Sequence, residues 1–375
     1  MLPHMNLLIK PASGRCNLQC GYCFYCDEMK KRETPAYSMM QADVLRIITQ
    51  KALEAAGQSC SFGFQGGEPT LAGLDFYKQA IDYQRQFNVN NVPIYNAIQT
   101  NGTLIDDEWA SFFADNRFLV GLSLDGYESL HDLYREDSAG NGTFKRVMHA
   151  VELFKKYNVD FNVLTVVTAQ TAKNTKEMYA FFMRQGLANQ QYIPCLDPFE
   201  EARGNSRYSL TPELYTRFLK NLFDLWYEDR LAGNYVYIRY FENLAGMMLG
   251  HPPESCAMAG KCSVQYAIEA CGDVFPCDFY MMDAYKIGNI MSDSFQSMDQ
   301  NRTSLGFIEE APGRYGQCRT CEWFYFCRNG CKREREFLDT TSDRRINYFC
   351  AAYKEFFPYA LPRLKKCLAS IRDVH

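Results

Sequence analysis

The first half of the chain alternates short apolar runs with longer segments of helical periodicity, and this alternation is the strongest constraint on its fold. The apolar runs are continuous, which is typical of strands covered on both faces. The predicted strands cover residues 7–12, 61–64, 94–99, 118–124, 161–167 and 190–194. Six strand–helix units in succession favour parallel strands joined by right-handed crossovers. Because six units are too few for a full barrel, we expect an open, partial (β/α)6 TIM-like barrel whose active groups lie at the carboxyl ends of the strands.

The helical segments and the cysteine distribution predict three domains. The predicted helices cover residues 40–56, 74–87, 106–115, 143–157, 174–185 and 211–231, with a last helix over 351–372. Periodicity weakens after 231, and the loop-rich stretch 256–350 holds nine of the sixteen cysteines. We therefore expect a barrel over 1–235, a loop-rich domain over 236–350 and a C-terminal helix over 351–375.

Composition narrows the possible partners and the chemistry of the cysteines. The formal net charge of −4 gives no reason to expect nucleic acid as a partner. No apolar run is long enough to span a bilayer, and the start, MLPHMNLLIK, lacks the core of a signal peptide. We therefore expect a cytoplasmic protein with no membrane partner. Reducing conditions disfavour disulfides, so metal binding is the leading explanation for the cysteines. The five histidines lie outside the cysteine clusters, which argues against mixed cysteine–histidine zinc sites.

Cys16, Cys20 and Cys23 follow the first predicted strand with the spacing C-x3-C-x2-C. Three thiolates suit three irons of a [4Fe–4S] cube, which normally takes four cysteines. The fourth iron is then free to bind a substrate or cofactor. The alternative is a structural zinc site that uses Cys26 as its fourth ligand. Zinc is less favoured because a zinc knuckle usually gains its second pair of ligands from a distant hairpin.

This motif, placed after the first strand of a half-barrel, resembles the radical S-adenosylmethionine (SAM) superfamily, and Tyr22 fits the family pattern too. The resemblance implies that the open iron holds the amino and carboxylate groups of SAM, and that reductive cleavage yields a 5′-deoxyadenosyl radical. The protein then orients the cofactor and excludes competing reactions. Cys26 falls outside the motif and is not expected to be a ligand. Phe24 and Tyr25 are expected to line the cofactor or peptide pocket.

The second predicted strand ends in FQGGEPT, whose glycines allow close approach of the backbone to a ligand. Taken alone, a GGE sequence is more often an ordinary turn. By resemblance, the residues that bind SAM are Tyr22, Gly66, Gly67, Glu68, Ser123, Arg135 and Leu196. Glu68 would bind the amino group, Arg135 the carboxylate, and Leu196 would pack near the adenosine. Without the resemblance, Arg135 is interpreted as a solvated helix residue and Leu196 as part of the core.

The later cysteines show two fixed patterns. One is C-x9-G-x4-C from Cys262, and the other is C-x2-C-x5-C-x3-C from Cys318, followed by Cys350. These patterns resemble the SPASM extension of radical SAM enzymes, which implies two further [4Fe–4S] clusters. The nearer cluster would be held by Cys256, Cys262, Cys277 and Cys331. The outer cluster would be held by Cys318, Cys321, Cys327 and Cys350. Two zinc sites of four cysteines each remain the alternative, since zinc would also order the segment but could not accept electrons.

Asp278 directly follows Cys277 in the sequence CDFY. A carboxylate beside a negatively charged cluster could have a raised proton affinity, which suits a general base. From this residue alone, a turn-stabilising aspartate is the better interpretation.

Several longer segments resemble the anaerobic sulfatase-maturating enzymes, among them LLIKPAS, FQGGEPTLAGL, QTNGTLI, NLFDLWYED and PCDFY. The resemblance implies oxidation of an active-site cysteine or serine of a sulfatase to Cα-formylglycine. It implies SAM and three [4Fe–4S] clusters as cofactors and Asp278 as the catalytic base. The expected partners are an unfolded or nascent sulfatase peptide segment and a low-potential electron donor such as flavodoxin or ferredoxin.

Two other functions compete with this hypothesis. A maturase that forms thioether or carbon–carbon crosslinks in a ribosomal peptide would share every cluster. Such enzymes commonly carry an N-terminal peptide-recognition domain, and we expect none here because the first strand begins within ten residues of the start. A non-catalytic iron–sulfur carrier or zinc scaffold would need neither a cofactor-binding barrel nor the GGE strand end. The sequence therefore favours sulfatase maturation.

Overall fold

The computed structural model describes residues 2–199, 201–308, 316–335 and 346–372. Its strands are β1 Leu2–Ile9, β2 Ala56–Phe64, β3 Ile94–Thr100, β4 Leu119–Ser123, β5 Phe161–Val167, β6 Asn189–Pro194, β7 Tyr237–Ile238, β8 Tyr266–Ile268, β9 Asp273–Phe275 and β10 Gly288–Asn289. Its helices are α1 Phe24–Lys30, α2 Ala42–Ala55, α3 Leu74–Phe87, α4 Asp107–Asp115, α5 Glu128–His131, α6 Phe144–Tyr157, α7 Ala169–Lys173, α8 Thr175–Arg184, α9 Pro212–Leu231, α10 Arg239–Met248, α11 Cys256–Ala259, α12 Phe295–Ser304, α13 Phe324–Cys327, α14 Lys332–Arg335 and α15 Cys350–Arg372.

The chain divides into two compact units. Unit 1 consists of Met1–Leu124, Asp132–Phe161 and Val264–Phe307. Unit 2 consists of Asp125–His131, Asn162–Ser263 and Ile308–His375. No helix in the described stretches is both long and apolar enough to cross a membrane.

Unit 1 is built on one sheet with the strand order β10-β9-β8-β1-β2-β3-β4. Strands β1 to β4 are parallel, and β8 joins the free edge of β1 in parallel before turning back through β9. Helix α2 buries Val44, Leu45, Ile48 and Ala52, a spacing that places one apolar face against the sheet side of the unit. Burying both faces of the sheet explains why its strands are continuous apolar runs.

Unit 2 contains β5, β6 and β7 in parallel and the long helix α9, which packs against α15. Thr211 caps α9 through a hydrogen bond from Leu214 N, and Pro212 occupies the first turn, where no backbone donor is needed. Phe223 and Trp226 of α9 stack with Phe241 and Phe356 in the core of this unit.

The six predicted strands and the main helices are all present, with shifted boundaries. Strand β2 begins at Ala56, five residues before the predicted start, because it follows α2 with no intervening loop. Strands β7 to β10 were not predicted, since two or three residues are too few to show periodicity.

Candidate active site

Polar side chains follow the parallel strands of unit 1 where each strand ends. Lys10 follows β1, Gln65 follows β2, Asn101 follows β3, and Ser123 ends β4. Because the carboxyl ends of parallel strands meet at one edge of a sheet, these side chains share one face of the unit. Main-chain hydrogen bonds from Gln65 N to Ile9 O (3.0 Å) and from Lys10 N to Ile268 O (2.8 Å) fix this edge.

The loop after β1 carries Cys16, Cys20 and Cys23. Its backbone pairs with the segment before α6, through hydrogen bonds from Gln19 N to Glu136 O (2.8 Å) and from Gly21 N to Tyr134 O (2.9 Å). These two bonds lie on either side of Arg135, the residue that is predicted to bind the carboxylate of the cofactor. Main-chain pairing therefore holds Arg135 next to the cysteine motif.

The three thiols of this loop lie close enough to influence one another. The pKa of Cys16 is raised to about 12, first by loss of solvent around the thiol and then by the Glu68 carboxylate and the Cys20 and Cys23 thiols. The Cys16 sulfur also accepts a hydrogen bond from Leu18 N at 3.4 Å. Iron binding must displace the thiol protons, because thiolates are the ligands of iron–sulfur clusters. Three clustered thiols with backbone N–H···S support fit such a cluster.

Tyr22, Arg135 and Ser123 are all buried beside this loop. The Arg135 guanidinium lies 5.5 Å from the centre of the Tyr22 ring, and Tyr22 meets Tyr134 edge-on at 5.8 Å. A buried guanidinium stacked on an aromatic ring has a fixed orientation, which suits recognition of a carboxylate.

Gly66 and Gly67 have positive φ angles of 94° and 54°. A Cβ on Gly66 would lie 2.6 Å from the Lys10 side chain, and one on Gly67 would overlap the carbonyl group of Arg15. The glycines therefore allow two neighbouring strand-end loops to touch, which sequence reasoning had attributed to the approach of a ligand.

Glu68 is buried and accepts four hydrogen bonds from groups of the protein. Its Oε1 accepts from Thr70 N (3.0 Å), Thr70 Oγ1 (2.6 Å) and Thr100 Oγ1 (2.7 Å), and its Oε2 accepts from Asn101 N (2.7 Å). Burial raises the pKa of Glu68, and these hydrogen bonds oppose the rise. Oε1 accepts three of these hydrogen bonds and Oε2 only one. Since each carboxylate oxygen has about two acceptor sites, Oε2 keeps one for a bound amine with respect to the described residues.

Asp278 lies in a helical turn, Asp278–Tyr280, and is buried among polar partners from the strand ends. Its Oδ2 accepts from the Tyr25 hydroxyl at 2.7 Å and from Gln65 Nε2 at 2.5 Å. Its Oδ1 lies 3.4 Å from Lys10 Nζ but accepts no hydrogen bond from the described residues. One oxygen is therefore held in place, while the other is charged, buried and open to a further donor.

Lys10 and Gln65 were not among the residues singled out from sequence. Lys10 is only 1% exposed, and its ammonium lies 3.8 Å from the centre of the Tyr25 ring. A buried ammonium needs a counter-charge, which Asp278 supplies. Burial and the Asp278 carboxylate raise the pKa of Tyr25, so its hydroxyl remains a donor. Lys10 could have been identified from the sequence because it is a lysine at the end of an apolar strand.

Seven of the eight cysteines that are predicted to hold the auxiliary clusters lie in unit 2, in two groups. Cys256 and Cys262 both raise the pKa of Cys331 through their charge, after the larger effects of burial and of Glu334. Cys331 therefore lies near Cys256 and Cys262.

The outer group gathers around one cavity. Four cysteines of this group line the cavity, namely Cys318, Cys321, Cys327 and Cys350. Burial raises the pKa of Cys327 to about 12, and the other three thiols of this group add to the rise. A cavity ringed by four thiols fits an iron–sulfur cluster, because thiolates are the usual ligands of such clusters.

The remaining predicted residues are placed as follows. Cys277 directly precedes the Asp278 turn in unit 1, and Leu196 follows β6 in unit 2, where it is half-buried. The thiol of Cys26 hydrogen-bonds with that of Cys23, and the thiol of Cys271 hydrogen-bonds with Tyr37. Among the described residues, no three histidine, cysteine, aspartate or glutamate side chains converge as ligands of a single metal ion.

Comparison with known families matches two parts of the chain. Residues 11–182 match the radical SAM superfamily, and residues 256–322 match an iron–sulfur cluster-binding domain, SPASM. These matches confirm the predicted fold class, a mixed α/β radical SAM core followed by an iron–sulfur domain.

Comparison with individual proteins extends the match to nearly the whole chain. The sequence is 47% identical to a cysteine-type anaerobic sulfatase-maturating enzyme of Clostridium perfringens over 97% of this chain and 98% of that protein. It is 30% identical to a serine-type enzyme of Bacteroides thetaiotaomicron over 96% of this chain and 90% of that protein. A solved structure of native anSMEcpe with bound AdoMet and the Cp18Cys peptide superposes with a TM-score of 0.93 and 46% identity, covering 98% of this chain and 100% of that one. This chain belongs to the anaerobic sulfatase-maturating enzymes of the radical SAM superfamily.

Proposed function

We propose that this enzyme oxidises an active-site cysteine of a sulfatase to Cα-formylglycine, acting on an unfolded or nascent peptide segment. Cysteine is favoured over serine because identity to cysteine-type relatives reaches 47%, against 30% for serine-type relatives. The observation that carries the proposal is the Asp278 environment, in which Oδ1 is a buried acceptor with no donor from the described residues.

Oxidation of the cysteine requires loss of a hydrogen atom from Cβ, a proton from the thiol and one electron. When bound, SAM and the clusters supply the hydrogen-atom acceptor and the electron acceptor. Asp278 Oδ1 takes the thiol proton, and the Lys10 ammonium lies 3.4 Å from this oxygen. The resulting thioaldehyde is hydrolysed to the aldehyde, with release of hydrogen sulfide.

The other predicted residues have binding roles in this proposal. Arg135 binds the carboxylate of SAM, Glu68 attracts its ammonium, and Leu196 packs against its adenosine. Tyr22 and the glycines Gly66 and Gly67 shape the site around the cysteine loop. Tyr25 and Gln65 hold Asp278 Oδ2 so that Oδ1 faces the substrate.

The proposal includes three [4Fe–4S] clusters in all, of which two auxiliary clusters, when bound, would supply the acceptor for the electron. Cys16, Cys20 and Cys23 hold the first cluster. Cys256, Cys262, Cys277 and Cys331 hold the second, and Cys318, Cys321, Cys327 and Cys350 hold the third. Because SAM cleavage is reductive, a low-potential protein such as flavodoxin or ferredoxin serves as the electron donor. The enzyme is proposed to act in the cytoplasm.

The direct test is anaerobic incubation of reconstituted enzyme and SAM with a sulfatase-derived cysteine peptide, read by mass spectrometry. We expect conversion of the thiol to an aldehyde, and slower conversion of the matched serine peptide. A peptide that loses two hydrogens and forms a crosslink would contradict the proposal and support peptide crosslinking instead. Formation of 5′-deoxyadenosine after Cys16, Cys20 and Cys23 are replaced by alanine would contradict the assignment of the first cluster.

A further inference from the structure

We propose that Arg32 is a positioning residue that fixes the base Asp278 relative to the helix following the cysteine loop. The inference rests on the proposed function, in which Asp278 and the radical must act on the same substrate cysteine. Arg32 lies nine residues after Cys23, outside every motif identified from sequence.

Arg32 connects two segments of unit 1 that are far apart in the sequence. Its Nη1 donates to Glu269 Oε2 at 2.7 Å, and its Nε donates to the main-chain oxygen of Met281. Its Nη2 lies 4.0 Å from Glu28 Oε2, one helical turn earlier. Arg32 is 8% exposed, and both carboxylates are fully buried. The guanidinium therefore donates hydrogen bonds to two groups, Glu269 and Met281, and lies within ion-pair distance of Glu28, in a setting that excludes most solvent.

These contacts belong to a series of contacts between two segments, and the same series includes the base Asp278. Along residues 24–33 and 278–283, the successive contacts are Tyr25–Asp278 at 2.7 Å, Phe24–Phe279 at 5.0 Å between ring centres, Arg32–Met281, and Glu33 N–Asp283 Oδ2 at 2.8 Å. Of these, the Arg32 contact is a hydrogen bond to the main chain, so it sets the path of the backbone. Met281 directly follows the Asp278–Tyr280 turn, so the position of its carbonyl determines where this turn ends.

The charge of the site makes arginine specifically suitable. Glu28, Arg32 and Glu269 together carry a formal charge of −1, and the single cation lies between the two buried carboxylates. A guanidinium presents several donors in one rigid plane, whereas an ammonium acts as a point charge. Lysine could therefore keep the formal charge of the site but could not hold Glu269 and the Met281 carbonyl in one plane.

When Arg32 is replaced, we expect radical formation to become uncoupled from formation of formylglycine. The cysteine loop and its SAM contacts do not include Arg32, so radical formation continues when the fork is lost. Proton transfer from the substrate then suffers, because a misplacement of about 1 Å can cost roughly a hundredfold in rate.

The test uses two variants. The first is Arg32→Lys. The second combines Arg32→Met with Glu269→Gln and therefore keeps the formal charge of −1. Each reconstituted enzyme is incubated with SAM and a cysteine peptide deuterated at Cβ. We expect deuterium to enter 5′-deoxyadenosine as in the wild type, while formylglycine formed per 5′-deoxyadenosine falls by about tenfold. Iron content, the thermal midpoint and the Kd of the peptide, measured without turnover, are expected to stay near wild-type values.

The matched control is Arg85→Met, whose side chain is 71% exposed and pairs only with exposed Asp82 at 3.4 Å among the described residues. An unchanged product ratio in both Arg32 variants would overturn the inference. So would a parallel fall of both products with iron content, since that indicates a general folding role. A wild-type enzyme that forms 5′-deoxyadenosine but no formylglycine would refute the proposed function, and the inference with it.

Discussion

Asp278 shows how single residues of this site divide their tasks. One carboxylate oxygen is fixed by Tyr25 and Gln65, and the other faces only the Lys10 ammonium among the described residues. An oxygen already bound by two donors is a poor proton acceptor, whereas one with a free lone pair is a good one. The asymmetry between the two oxygens therefore favours Oδ1 as the acceptor of the substrate proton.

Replacing Asp278 with asparagine tests this assignment. The amide keeps the shape of the side chain but cannot take up a proton, so formylglycine formation is expected to fall by about 10²–10⁴-fold. Formation of 5′-deoxyadenosine is expected to continue, as measured by chromatography beside peptide mass spectrometry. Asp82→Asn, on an exposed face of α3, is the control. Undiminished formylglycine formation by the Asp278 variant would rule out the role of base.

Alanine substitutions at Gly66 and Gly73 separate the effect of backbone conformation from that of steric contact with neighbouring atoms. Both have positive φ, 94° and 82°, but only a Cβ on Gly66 would meet other atoms, 2.6 Å from the Lys10 side chain. Lys10 cannot easily move, because it is held between Asp278 and the Tyr25 ring. We expect Gly66→Ala to destabilise the protein by about 1–3 kcal/mol more than Gly73→Ala, measured by thermal unfolding. Equal losses of stability in the two variants would show that the Lys10 side chain can move aside.

At the scale of elements, the sequence predicted the long pieces better than the short ones. The periodicity of residues 40–56 and 211–231 was sufficient to predict α2 and α9, because each buries one apolar face. Strands β8, β9 and β10 have two or three residues each and owe their form to neighbours in the sheet. Strands β8 and β9 carry the chain from the edge of β1 to the Asp278 turn, so the position of the base could not be predicted from local pattern.

The cysteine segment of unit 2 offers a test of ligand pairing. Cys331 lies near Cys256 and Cys262, whereas Cys327 lies near the other cysteines of the outer group. We expect Cys327→Ala and Cys331→Ala each to remove about four irons per chain, and the double variant about eight, because the two thiols serve different clusters.

The controls for this pairing come from within and outside the groups. Adding Cys318→Ala to Cys327→Ala is expected to cause no further loss, since both belong to one cluster. Cys367→Ala, in α15 and outside both groups, is expected to leave the iron content unchanged. A loss of only four irons in the Cys327/Cys331 double variant would contradict the interlocked assignment.

At the scale of the whole molecule, metal ligation is expected to contribute to the stability of the cysteine-rich segment. The described residues 316–335 form only short helical turns, and Cys318 is the one buried apolar side chain among them, so apolar burial supplies little order there. Anaerobic reconstitution is expected to give about 12 irons per chain for three four-iron clusters. Zinc in place of iron, or about four irons per chain, would contradict the auxiliary clusters.

Removal of iron with a chelator is expected to expose this segment to proteolysis before the rest of the chain. The physical reason is that ligation energy acts as folding energy where a segment buries little apolar surface. Limited digestion followed by mass spectrometry locates the cuts. Cleavage spread evenly over residues such as those of β1 to β4 would show instead that the whole chain depends on the metal.

The sequence by itself determined the fold class and the family. Strand–helix alternation and cysteine spacing are local along the chain, so they can be read directly from the order of residues. The roles of individual site residues remain predictions that the experiments above address. Only the tertiary structure decided which polar groups meet: Lys10, Gln65 and Tyr25 around Asp278, and Arg32 between Glu28 and Glu269. Tyr25 and Asp278, for example, are 253 residues apart, and only sheet pairing and burial bring such partners within hydrogen-bond distance.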